Sequence, residues 1–138
     1  MSEEKIKVLT VKLGLDAHNR GIFAVNRILR DAGMEVVFIG SQFPEGIVEA
    51  ALQEDVDVIG VSSLSSASTV EYLRKLTDLL RGKELDHKLL IVGGIILPDD
   101  VPQVKEMGVD EYFPPGSAYD SIIDYVKQNA FKKVSESG

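Results

Sequence analysis

This sequence predicts an α/β domain with a parallel sheet covered by helices on both faces, and three observations predict it. Short apolar runs rich in Val, Ile and Leu alternate with longer amphipathic stretches. Glycines and prolines fall at the joints between them. The length, 138 residues, is that of one ordinary domain. Strand followed by helix, five times over, gives the doubly wound arrangement, and five strands favour the flavodoxin-like order 2-1-3-4-5.

The strands are expected at Ile6–Leu13, Glu35–Ile39, Val56–Val61, Leu89–Val92 and, more weakly, Glu111–Phe113. Four are rich in Val, Ile and Leu, as strands buried on both faces should be. Between the first two, Ile22, Val25, Ile28 and Leu29 share one helical face, with Arg20, Arg27 and Arg30 away from it. Ile47, Val48, Ala51 and Leu52 repeat the pattern, as do Val70, Leu73, Leu76 and Leu80, and then Ile122, Ile123 and Val126. Pro44 and Pro98 are placed to open the second and fourth helices. Gly33, Gly82 and Gly108 are placed to close the first, third and fourth. Ser117 is expected to cap the last helix, with Asp120 in its first turn. The whole chain, 1–138, reads as a single domain with a core over about 5–130 and a polar tail at 131–138.

Composition removes several functions. The formal net charge is −7, and neutralising nucleic-acid phosphates needs clustered Lys and Arg, so no nucleic-acid partner is expected. With no cysteine, disulfides, thiolate metal sites and thiol catalysis are excluded. Two histidines are too few for a three-histidine metal site. The polar start Met1-Ser-Glu-Glu-Lys holds neither a signal peptide nor a span, so a cytoplasmic protein without membrane contact is expected.

In a sheet of this kind ligands bind beyond the carboxyl ends of the strands, and the unusual segments of the chain all fall there. The first is Lys12 to Gly21, with Asp16 two residues before His18. A metal-binding imidazole needs a partner for its second nitrogen, and a carboxylate serves well. By spacing alone, His18 fits either that role or that of an ordinary loop histidine. The segment Ser62 to Thr69 holds five serines and a threonine; it is either a pocket of small hydroxyl side chains or a serine-rich turn capped at Ser66 or Ser68. Gly93-Gly94 would admit a close ligand or simply form a tight turn. Pro114-Pro115-Gly116 is a rigid wall beside Ser117 or merely a loop. His87 lies in a charged turn at the opposite edge and reads as solvated. There is no phosphate-cradling G-x-x-x-x-G-K-[ST], no G-x-G-x-x-G and no G-x-S-x-G nucleophile elbow. A phospho-receiver domain has this size and fold, but it needs an acidic residue at the end of the third strand, where Ser62-Ser63-Leu64 stand.

Asp16-Ala-His18-Asn-Arg-Gly21 resembles the D-x-H-x-x-G signature of cobalamin-binding domains. The S-x-L at Ser62-Ser-Leu64 and the GG at Gly93-Gly94 are similar to that family's later signatures, in the same order. The likeness runs from about Lys7 to Ala130. Lys12-x-Gly-x-Asp-x-His18, with Arg20-Gly21, looks most like the acyl-CoA mutases of the methylmalonyl-CoA mutase group. Gly108-Val-Asp, Phe113 and Pro115-Gly116-Ser117 resemble that group's G-V-x-x-x-F-x-P-G-T stretch. Ala17, Asn19, Pro114 and Ser117 depart from the usual Gly, Asp, Gly and Thr.

The resemblance implies that His18 is the lower axial ligand of cobalt in a cofactor held with its own base displaced. Asp16 and Lys12 would complete a relay behind it. The freed nucleotide tail would enter a slot lined by Ser62, Leu64, Gly93, Gly94 and Ser117, with Arg20, Gly21, Phe113 and Gly116 also contacting the cofactor. It further implies adenosylcobalamin, a radical carbon-skeleton rearrangement of an acyl-CoA, and a large mutase subunit whose (β/α)₈ barrel binds that acyl-CoA. Such a barrel has no room in this chain, so a small subunit inactive alone is expected. Other readings are a corrinoid methyl carrier of a methyltransferase system, a cobalamin light sensor or chaperone, and a flavodoxin-like interaction module without cobalamin.

Overall fold

The structure is a computed structural model and describes residues 5–14, 20–63 and 68–131. The elements are β1 (Lys7–Leu13), α1 (Arg20–Asp31), β2 (Glu35–Gln42), α2 (Pro44–Glu54), β3 (Val58–Ser63), α3 (Thr69–Gly82), β4 (Leu89–Gly94), a 3₁₀ turn (Pro98–Asp100), α4 (Val101–Met107), β5 (Glu111–Phe113) and α5 (Tyr119–Asn129). The strands form one five-stranded sheet in the order β2-β1-β3-β4-β5, parallel at every pairing, as expected.

Side-chain alternation splits the core into two layers. Leu9, Val11, Ile59, Val61, Leu90 and Val92 pack beneath α2, α3 and α4. Val8, Val58, Leu89 and Ile91 face α1 and α5 through Leu29, Ile122 and Val126. Burial of these β-branched and leucine side chains, each worth about 1.5–3 kcal/mol, holds the helices to the sheet.

Several boundaries differ from the sequence expectation. β2 continues to Gln42 because Ser41 and Gln42 still pair with Lys12 and Leu13 of β1. β3 reaches Ser63 and β4 reaches Gly94, so Ser62, Ser63 and both glycines sit in strands rather than loops. Pro98 opens the 3₁₀ turn, and α4 itself begins at Val101. Leu52 is exposed, since Ile47, Val48 and Ala51 already fill the buried stripe of α2. Ser117 does not cap α5: its hydroxyl donates to the Pro114 carbonyl oxygen at 2.6 Å, and Ala118 holds the N-cap position. Residues 132–138 lie outside the described residues.

The helix ends show what glycine does here. Gly33 follows α1 in the left-handed region, at φ 94°. The Met34 N–H donates to the Leu29 carbonyl and the Gly33 N–H to the Arg30 carbonyl, the Schellman pattern. α3 ends in the same pattern, with Leu85 donating to Leu80 and Glu84 to Arg81, but the left-handed residue is Glu84, at φ 59°. Gly82 lies two residues too early and is simply the last residue of the helix. A Cβ in that conformation is strained, and Glu84 is exposed. Glu84→Gly is expected to raise unfolding stability by about 1 kcal/mol, roughly 3 °C in Tm, measured by thermal and denaturant melts.

Candidate functional site

The parallel register stacks the strands into rows. On the α1/α5 side, Val8, Val58 and Leu89 form the deepest row, Thr10, Gly60 and Ile91 the middle one, and Lys12, Ser62 and Gly93 the rim. Phe113 of β5 joins the rim beside Gly93. The middle and rim rows each carry a glycine where its neighbours carry side chains. The missing side chains leave a cavity of about 400 Å³ between the sheet, α1 and α5. It starts above Val8 and Leu29 and opens at the carboxyl ends of the strands, between Gly21, Ser62, Gly93, Gly94 and the segment Pro114–Ser117. Its size falls in the range of small-molecule sites. None of its described lining residues is charged.

Hydrogen bonds hold the rim in shape. The Ser63 carbonyl oxygen accepts from the Ile95 N–H at 3.0 Å, which draws Gly94 tightly against β3. Gly94 has φ 108°, and a Cβ on it would lie 1.9 Å from that same oxygen. The Tyr112 hydroxyl donates to the Gly94 carbonyl at 2.6 Å and accepts from the Ile96 N–H at 3.0 Å, clamping the segment after β4. Ser63 Oγ donates to Thr69 Oγ1 at 3.3 Å, tying the end of β3 to the start of α3. Below the rim, Thr10 Oγ1 donates to Asn26 Oδ1 at 2.7 Å, and both residues are buried. Phe113 stacks edge-on against Tyr125. Burial, with the negative charges of Asp110 and Glu111, pushes the Tyr125 phenol up to about 12, so it stays neutral in its packing role.

The structure brings together most of the residues singled out from sequence. Gly21, Ser62, Gly93, Gly94, Phe113, Gly116 and Ser117 all line the one cavity. Lys12 is only 5 % exposed, in the rim row between Ser41 and Ser62. Arg20 opens α1 but is exposed and does not line the cavity. Asp16, His18 and Leu64, with Ser66, lie outside the described residues. Sequence reasoning missed Gly60 and Thr10. An isolated glycine in the apolar run Val58-Ile-Gly-Val61 was the available signal, because a glycine inside a strand marks a close approach. The exposed large apolar residues Phe23, Phe43, Ile95, Leu97 and Tyr119 also sit at the carboxyl edge, in first helical turns or just beyond strand ends.

The arrangement suits a long ligand with a flat apolar end: small residues at the mouth, hydroxyls beside it, and aliphatic walls below. Fold and slot together define a doubly wound domain with a cavity open at its carboxyl edge. The model of the B12 binding domain matches residues 6–123, and the chain belongs to that family. The chain is 40% identical over 128 residues to the 2-hydroxyisobutanoyl-CoA mutase small subunit of Aquincola tertiaricarbonis, covering 92% of this chain and 93% of that one. It is 40% identical over 122 residues to the pivalyl-CoA mutase small subunit of Xanthobacter autotrophicus, covering 88% and 81%. Among solved structures, a cobalamin-binding protein from Desulfitobacterium hafniense shares the fold, with a TM-score of 0.76 and 20% identity over 91% of this chain and 59% of that one. Among the described residues no helix is long and apolar enough to cross a membrane.

The two rim glycines should separate in mutation. Gly94→Ala, forced against the Ser63 carbonyl at a positive φ, is expected to cost about 3 kcal/mol or more in denaturant unfolding. Gly93→Ala places its Cβ 3.8 Å from the Phe113 carbonyl oxygen, an ordinary contact, and should stay within about 1 kcal/mol of the parent.

Proposed function

We infer that this chain is the cobalamin-carrying small subunit of an acyl-CoA mutase, working in the cytoplasm with a separate large subunit. The observation that carries the reading is the uncharged slot walled by Ser62, Gly93, Gly94, Gly116 and Ser117 at the carboxyl edge. Its width depends on residues without side chains, its mouth has hydroxyls for the phosphate and sugar of a nucleotide tail, and its depth is aliphatic. Those features fit the tail of a cofactor held with its base displaced. The two mutase small subunits of matching length support the reaction class.

In this reading His18 would ligate the cobalt, Asp16 would hold its second ring nitrogen, and Lys12 would stand behind Asp16. Asp16, four residues on from the 5 % exposed Lys12, would offer its ammonium a negative partner. When bound, adenosylcobalamin supplies a cobalt–carbon bond whose homolysis starts a radical rearrangement of the acyl-CoA carbon skeleton. The residues of this chain bind and orient; none acts as acid or base on the substrate. Gly21 and the segment after β4 flank the slot mouth and support the ring system. The apolar rim of Phe23, Phe43, Ile95, Leu97 and Tyr119 provides the surface on which a large subunit with a (β/α)₈ barrel, holding the acyl-CoA, closes over the cofactor.

Purified protein mixed with hydroxocobalamin and passed through a desalting column should retain corrin absorbance. His18→Ala should weaken retention at least tenfold, and the reduced cobalt(II) form should lose the hyperfine splitting of a histidine nitrogen in its electron paramagnetic resonance spectrum. An unchanged spectrum would reject the ligand assignment. Acyl-CoA isomerisation on adding the large subunit, and none without it, distinguishes the mutase from a methyl carrier.

A further inference from the structure

Tyr112 acts on the slot mouth from behind. Its ring packs on the other face of the sheet, against the core beneath α3 and α4, and it is not among the described residues that line the cavity. Its hydroxyl reaches the segment after β4, donating to the Gly94 carbonyl at 2.6 Å and accepting from the Ile96 N–H at 3.0 Å. A hydroxyl that donates and accepts at once is polarised by both bonds, and each strengthens the other. Between those two peptide groups stands Ile95, whose own N–H donates to the Ser63 carbonyl at 3.0 Å. Of the three hydrogen bonds that fix the backbone around Ile95, two meet on one phenol oxygen. Ile95 belongs to two surfaces: it lines the cavity and is still 44 % exposed. The next side chain, Ile96, is buried in the core under α3 and α4. The segment therefore stays attached to the fold when the hydroxyl is removed, and what is lost is the fixed placement of Ile95.

Resting on the cofactor reading above, we propose that Tyr112 is a positioning residue: through its hydroxyl it holds Ile95 as a lip at the slot mouth, and that lip sets how slowly a bound corrinoid leaves. A nucleotide tail seated below the rim has to pass Ile95 on its way out. A lip on fixed backbone is displaced only by breaking the bonds that hold it, whereas a loosened lip moves aside at each local opening. Differences of this kind fall mainly on the rate of release rather than on the rate of entry. Losing the two bonds at the phenol oxygen is expected to speed release on the order of tenfold.

The test loads the full chain with hydroxocobalamin, removes the free corrinoid, and times the loss of corrin absorbance from the protein through successive desalting steps, well below each variant's melting temperature. Tyr112→Phe, which keeps the ring and removes the oxygen, should release the corrinoid about tenfold faster than the wild type, with an unchanged circular dichroism spectrum. Ile95→Ala should also speed release. The double variant should release no faster than Ile95→Ala alone, because the hydroxyl acts through a side chain that is already gone. Release from Tyr112→Phe at the wild-type rate, or effects that multiply in the double variant, would show that Tyr112 serves the fold only and overturn the inference. If Tyr112→Phe does not fold, Ile95→Ala carries the test, and release from it at the wild-type rate removes the lip. Failure of the wild type to retain hydroxocobalamin at all overturns the cofactor reading itself, and the inference with it.

Discussion

Strict parallel register is the constraint on which the rest depends. Because β1, β3 and β4 are aligned residue for residue, Thr10, Gly60 and Ile91 lie side by side, as do Lys12, Ser62 and Gly93. Two glycines in neighbouring rows leave a chamber only if the rows themselves are in step; a slip of one residue in β3 or β4 would turn that strand's glycine to the other face. The ladder hydrogen bonds that make the sheet thus also make the slot. The opposite face, where Leu9, Val11, Ile59 and Val61 meet α2 and α3, is filled by the same register. One pairing scheme yields a solid side and a hollow side.

The rim is rigid for local reasons. Gly94 is pressed on the Ser63 carbonyl, Tyr112 bridges Gly94 and Ile96, and Ser117 closes the turn from Pro114. Each contact joins backbone to backbone or side chain to backbone, so the mouth is shaped before any ligand arrives. A preformed mouth reduces the ordering that binding would otherwise demand. At Gly94 a side chain would have nowhere to go.

Much of this was legible in the sequence, and the exceptions have physical reasons. Strand order followed from the alternation of apolar runs with amphipathic stretches, and the glycines and serines at strand ends pointed to the slot. Gly60 and Thr10 stayed hidden because their importance lies in which residues stand beside them, and register is a property of pairing rather than of one strand. β2 outran its apolar run because Ser41 and Gln42 are held by β1, not by burial. Glu84 took the left-handed cap that composition assigned to Gly82, since the burial of Leu85 beside Leu80 decides where α3 must turn. Ser117 looked like a helix cap from its spacing to Asp120, yet the prolines before it offered a nearer carbonyl.

The hollow side has a consequence for how the fold breathes. α1 and α5 close over a chamber, whereas α2 and α3 close over packed leucines and valines. Fewer atoms lie beneath them, so that flank is expected to loosen first and its amide protons to exchange before those of the filled side. A ligand filling the chamber would work as a removable piece of the interior: it would complete the packing on that side and couple its own binding to the tightening of two helices.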